Sequence, residues 1–233
     1  MSLLINNELI WVSIPKCASF SIEDAFLKSN LNIKRHSKSI INPNEHLHIG
    51  LFLLKKEFGE KESICIKRDW FERWLSSLQY ILENMYIIHG SELIRKWEDV
   101  DNEFIYNIFT DDVLNTFHLN ELKTEEVFYS KFLKNPKTEI EKLKKNQSKE
   151  MHKISTLWSQ NHWKKNDKCD YEFDINEIDK FVDFIEDRYG ERLIVNKINE
   201  NPKTKSKLVL NDELKSFVWN KFEKKYNKKN YLL

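Results

Sequence analysis

Two kinds of apolar pattern alternate along the chain. Short, nearly unbroken runs, Leu9-Ile10-Trp11-Val12 and Ile64-Cys65-Ile66, predict buried strands over 9–14 and 62–67. The residues that follow each run have apolar positions three and four apart, such as Ile22, Ala25 and Phe26, and predict helices over 21–29 and 70–88. Further helices are expected over 49–58, 175–189 and 211–226, with Gly190 placed to close the 175–189 helix in a left-handed cap. Ile140, Leu143, Met151, Ile154 and Leu157 form one stripe and predict a long helix over 137–160. Residues 91–135 read as helical and irregular, and short strands are expected near Tyr171 and Phe173 and over 192–195. Strands interleaved with helices imply an α/β fold: three layers, with a mainly parallel central sheet flanked by helices. In such a sheet the ligand lies across the carboxyl ends of the strands.

Composition narrows this picture. A chain of 233 residues, 40% of them hydrophobic, can bury a full core as one domain over 1–233, and four glycines and four prolines leave no linker-like stretch. The formal charge of +1 argues against a nucleic-acid partner. Charge is unevenly spread, however: residues 131–170 hold eleven Lys/Arg against five Asp/Glu, and residues 92–126 hold three against ten. The basic segment could steer a polyanionic glycan or the donor, but helical spacing favours a solvated helix face. Cys17, Cys65 and Cys169 have neither an even count nor a metal-ligand spacing, which fits a reducing compartment and no metal. Of the three, Cys17 sits among basic and polar residues, so a lowered pKa and a reactive thiol are expected there. The sequence has no signal peptide and no apolar run near twenty residues, so a soluble, cytoplasmic protein without a membrane segment is expected.

Two segments carry candidate chemistry. Directly after the first strand comes Ile14-Pro15-Lys16-Cys17-Ala18-Ser19-Phe20-Ser21, a polar turn with one lysine that opens a helix. Amides at a helix N-terminus together with a lysine ammonium suit an anion. The G-x-x-x-x-G-K-[ST] pattern is missing, and no Ser/Thr follows Lys16 to hold magnesium, so phosphate binding without the usual metal is expected. The second segment, Arg68-Asp69-Trp70-Phe71-Glu72-Arg73-Trp74-Leu75-Ser76, begins at the end of the 62–67 strand. Arg68 and Ser76 stand about two helical turns apart and could share one anion. Asp69, Glu72 and Arg73 read as helix-start charges with a local salt bridge, and Trp70, Phe71 and Trp74 as residues that pack the helix onto the sheet.

Together the two segments resemble the sulfotransferases that use PAPS (3′-phosphoadenylyl sulfate). The first is similar to the family's 5′-phosphosulfate loop, I-P-K-T-A-[SG]-T-S, and the second to its 3′-phosphate motif, R-D-P-[YF]-E-R-[FW]-x-S. The chain resembles most the carbohydrate branch, which modifies heparan and chondroitin. Glu45-His46-Leu47-His48, followed by Gly59, is similar to that branch's histidine segment, and Gln160-Asn161-His162-Trp163 to its later His-Trp signature. Asn201-Pro202-Lys203-Thr204-Lys205-Ser206 resembles the loop that closes over the nucleotide, and residues 214–231 its terminal helix and aromatic tail.

The resemblance implies a P-loop-like sulfotransferase fold and in-line transfer of a sulfuryl group from PAPS to an acceptor hydroxyl, that of a carbohydrate first. The product nucleotide would be 3′-phosphoadenosine 5′-phosphate. It implies donor contacts from Lys16, Cys17, Ala18, Ser19, Phe20 and Ser21, from Arg68 and Ser76, and from Lys205 and Ser206. Lys16 would stabilise the leaving phosphate, with His48 as base and His46 as the second choice. Because the family's eukaryotic carbohydrate enzymes are membrane-anchored, an unanchored chain points to a bacterial or viral source. Three residues depart from the pattern: Cys17 for threonine, Phe20 for a hydroxyl residue and Trp70 for proline. The loop also has no glycine, so any left-handed residue in it would be strained. Two rival readings accompany this one: a nucleotide-binding module without turnover, and a small-molecule kinase with a divergent phosphate loop.

Overall fold

A computed structural model describes residues 2–36, 50–89, 97–109, 157, 159–164, 168–196 and 206–224. The chain forms two compact units: one from residues 1–73, 159–200 and 226–233, the other from 74–158 and 201–225.

The first unit is built on a five-stranded sheet in the order β3-β1-β2-β4-β5. Its strands are β1 (Leu3–Ile5), β2 (Leu9–Trp11), β3 (Ile33–Arg35), β4 (Glu62–Lys67) and β5 (Tyr171–Asp174). β2, β4 and β5 run parallel, with Trp11 opposite Ile64 and Ile64 opposite Tyr171. The apolar runs of β2 and β4 are the expected ones, with Ser63 through Ile66 buried, and β5 lies where a short strand was expected near Tyr171 and Phe173. β1 pairs antiparallel with both β2 and β3, so the sheet is mixed. A tight turn makes the first of these pairings: Asn6 and Asn7 both take positive φ (48° and 58°), and the Glu8 amide donates to the Ile5 carbonyl at 2.9 Å.

Helices lie on both faces. α1 (Ser19–Lys28) and α6 (Ile178–Tyr189) cover the face that presents Trp11 and Phe173. Phe26 of α1 and Phe181 of α6 both pack on Trp11, with ring centroids 6.0 and 5.8 Å away. The opposite face carries Cys65 and Glu172, which α5 (Gln160–Lys164) reaches through a 2.8 Å Lys164–Glu172 ion pair. α2 (Leu51–Phe58) adjoins α5. The helix expected over 175–189 opens as a 3₁₀ turn at Ile175–Glu177, because the Asp174 carboxylate accepts the Asn176 amide there. Gly190 closes α6 as expected, with φ 69° and its amide 2.7 Å from the Glu186 carbonyl.

The strand expected over 192–195 does not form. Arg192 pairs with Asp183 at 3.0 Å and with Glu186, tying this segment to α6; Leu193 is buried while Ile194 stands exposed. The 137–160 helix is interrupted where it can be seen. Leu157 lies in a turn, Ser159 is not helical, and α5 starts afresh at Gln160. The rest of that stretch is outside the described residues.

α3 (Trp70–His89) runs from the end of the first unit into the second. The second unit also holds a 3₁₀ turn at Trp97–Asp99, α4 (Asn102–Ile108) and α7 (Asp212–Val218), which continues as a π-turn through Glu223. Asp101 and Asn211 cap α4 and α7 by accepting the Phe104 and Leu214 amides at 2.8 and 2.9 Å. Trp74, Phe109 and Phe222 form its aromatic centre, with ring separations of 5.0–5.9 Å. No described helix is long and apolar enough to cross a membrane.

Candidate functional site

Beyond Trp11 the chain stays extended beside β4, held by the Val12 amide on the Ile64 carbonyl at 2.9 Å. The turn Pro15–Ala18 then delivers it into α1. Ser13 anchors this approach: its hydroxyl donates to the buried Glu23 carboxylate at 2.5 Å, and its amide to the Ser2 hydroxyl at 3.2 Å. Ala18 occupies the N-cap position of α1, where no side chain caps the helix. The positive end of the helix dipole faces the loop, as an anion site needs.

The missing glycines have the expected consequence. Lys16 and Ala18 both lie in left-handed space, with φ of 61° and 54°. Each such L-residue costs about 1–2 kcal/mol, strain of a kind that gathers at functional loops. Ala18→Gly is accordingly expected to raise unfolding stability by about 0.5–1 kcal/mol, measured by chemical denaturation. A loss of stability would contradict the left-handed assignment.

Cys17, between them, is 1% exposed. Burial pushes its thiol up to about 12, despite the opposing charges of Arg73, Arg68 and Lys164. This corrects the expectation of a reactive thiol: the loop is electropositive, but desolvation outweighs the charges. The same three cations place the loop in a positive field.

Arg68 follows β4 on the neighbouring parallel strand. Its side chain is partly exposed and meets Glu72 across one helical turn, at 3.4 Å. Asp69 caps α3, accepting the Phe71 and Glu72 amides at 3.0 Å each. Trp70 thus fills the first helical position, where the family motif has proline. The expected helix-start role of Asp69 holds, but Glu72 pairs with Arg68, and Arg73 is wholly buried.

Gln160, quoted in the sequence only as part of a His-Trp signature, makes the contacts that link these two segments. Its amide bonds both the N–H and the C=O of Arg68, at 3.4 and 2.9 Å, and accepts from the Cys17 thiol at 4.0 Å. It opens the Gln-Asn-His-Trp run, whose likeness to the sulfotransferase signature rests on the histidine and tryptophan. Through Gln160 the structure thus links Cys17 of the loop to the backbone of Arg68. Ser76 is half-buried on the second turn of α3, and Ser206 is half-buried ahead of α7 in the second unit. His46, His48 and Lys205 lie outside the described residues.

One further cluster adjoins Arg68 on the sheet. Cys65, Cys169 and Glu172 bring two sulfurs and a carboxylate oxygen within 4.8 Å of one another, a set able in principle to ligate a metal. The Cys65 thiol is pushed well above its usual range, first by its hydrogen bond with Cys169 and then by burial. Positive charge is supplied there by Lys164 and Lys67, 2.8 and 3.6 Å from the Glu172 oxygens. Burial pushes the Glu172 carboxyl up, but the Lys164 hydrogen bond and charge outweigh it and hold it below the usual value. Asp170 behaves alike: two 2.8 Å bonds from Ser63 overcome its desolvation. Because both carboxyls are depressed in the folded state, the stability they lend is complete above about pH 5 and is lost as pH falls through their folded values. Thermal melts between pH 3 and 7 are expected to show this acid loss, and Glu172→Gln to shrink it. An unchanged acid limb would contradict the assignment.

No family model matches the chain, and neither a curated protein nor a solved structure does.

Proposed function

We propose that the protein is a PAPS-dependent sulfotransferase that moves a sulfuryl group to an acceptor hydroxyl, that of a carbohydrate first. The observation that carries this reading is the pairing of an uncapped helix and lysine loop after β2 with Arg68 at the end of the adjacent parallel strand β4. Two anion-binding elements on neighbouring strands suit a nucleotide with two separated phosphates.

In this reading the loop amides and Lys16 take the 5′-phosphosulfate, and Arg68, with Ser76 further along α3, takes the 3′-phosphate. Phe20, exposed beside the helix start, takes no hydroxyl's part, so Ser19, Ser21 and backbone amides supply the polar contacts of the loop. Sulfuryl transfer, like phosphoryl transfer, proceeds in line through a loose transition state, with negative charge growing on the leaving phosphate. The acceptor hydroxyl loses its proton as it attacks, and His48 is proposed as the base, with His46 second. Lys205 and Ser206 are proposed to close over the nucleotide.

The kinase reading is weaker on a specific point. An acid at the end of the strand beside the loop would have to hold magnesium, and Asp69 occupies that place. One oxygen of its carboxylate, Oδ1, already accepts both the Phe71 and Glu72 amides.

The test is transfer of labelled sulfuryl from PAPS to a panel of heparan- and chondroitin-type oligosaccharides, with ATP as the competing donor. Labelled glycan supports the proposal. Phosphorylated glycan from ATP would favour the kinase, and donor binding without any transfer would favour the non-catalytic module.

A further inference from the structure

The last pair of residues on the β4–β5 ladder is Lys67 and Asp174. Arg68 is one residue beyond it, where no strand partner satisfies its peptide groups. The Gln160 side-chain amide takes that role, donating to the Arg68 carbonyl at 2.9 Å and accepting its amide at 3.4 Å. This two-point contact fixes the peptide from which the Arg68 side chain leaves the sheet. The same Gln160 oxygen accepts from the Cys17 thiol at 4.0 Å, inside the loop. One side chain, 92 residues from Arg68 in sequence, therefore spans both anion-binding segments.

We infer that Gln160 is a positioning residue that sets selectivity for nucleotides bearing both a 5′- and a 3′-phosphate, by fixing Arg68 relative to the loop. The inference rests on the donor reading above. Gln160 touches no ligand in it; the effect runs through Arg68, whose charge-assisted bonds depend on direction. The thiol stays protonated, as burial requires, and so remains a donor to the Gln160 oxygen. A glutamate at 160 would accept from the Arg68 amide but could not donate to its carbonyl, and it would set a negative charge beside the anion site.

The test is titration of 3′-phosphoadenosine 5′-phosphate and of 5′-AMP into wild type, Gln160→Ala, Gln160→Glu, Arg68→Ala and the Gln160→Ala/Arg68→Ala double variant. Gln160→Ala is expected to weaken the bisphosphate about tenfold or more and 5′-AMP much less. The double variant is expected to bind the bisphosphate no more weakly than Arg68→Ala alone, since Gln160 acts through that arginine. Gln160→Glu, the same length and the second variant should alanine unfold the chain, is expected to lose at least as much selectivity. Equal losses for both nucleotides, or additive losses in the double variant, would overturn the inference and leave a merely structural glutamine. Wild type that binds neither nucleotide would instead overturn the donor reading itself, and the selectivity claim with it.

Discussion

Lys16→Ala is expected to cut sulfuryl transfer about 10²–10³-fold, the effect of removing one donor from developing negative charge in other active sites. The loss should appear in single-turnover rates at saturating PAPS more than in donor affinity, because the charge on the leaving phosphate grows only as the S–O bond breaks. Backbone geometry adds to the case. Lys16 sits at φ 61°, next to the start of α1, a conformation that an L-residue takes only at a cost. Arginine should not restore the rate, since its planar fork cannot follow the charge as a compact ammonium does. A single-turnover rate within threefold of wild type would remove Lys16 from the mechanism.

Phe26→Ala is expected to cost about 3–5 kcal/mol, the usual range for truncating a buried aromatic residue. Phe26 is fully buried on α1, and its ring meets Trp11 of β2 and Phe181 of α6, each 6.0 Å away. This cluster seats α1 on the sheet, and α1 in turn sets where the loop's amides point. At roughly 2–4 °C per kcal/mol for a chain of this size, the melting temperature should fall by about 10 °C. The measurement is denaturant unfolding, in which a loss below about 1 kcal/mol would mean that the aromatic cluster does not organise this face.

Local pattern accounts for what the sequence revealed. β2 and β4 hold short apolar runs, β5 alternates aromatic and acidic residues, and Gly190 marked the end of α6, so each announced itself within a few residues. β1 and β3 did not: β1 is as short and apolar as β2 but has no helical pattern after it, and β3 is partly exposed. Asn6-Asn7 between apolar residues was the signal for the β1–β2 hairpin. The segment at 192–195 looked like a strand because it is apolar, yet the ion pairs of Arg192 decide its place. In the site, Arg68 was legible because it follows β4 directly, and Lys16 because it is the one cation in the polar turn between β2 and α1. Gln160 was not, because its partners are 92 and 143 residues away. Cys17 was misread for a related reason: the neighbouring charges show in the sequence, but its burial is a property of the folded core.

Direct evidence on the central claim comes from calorimetric titration of 3′-phosphoadenosine 5′-phosphate, ADP and ATP into wild type and Arg68→Ala. The account predicts micromolar binding of the bisphosphate, weak binding of ATP with or without magnesium, and loss of bisphosphate binding in Arg68→Ala. Preference for magnesium-ATP, or no bisphosphate binding by wild type, would contradict it.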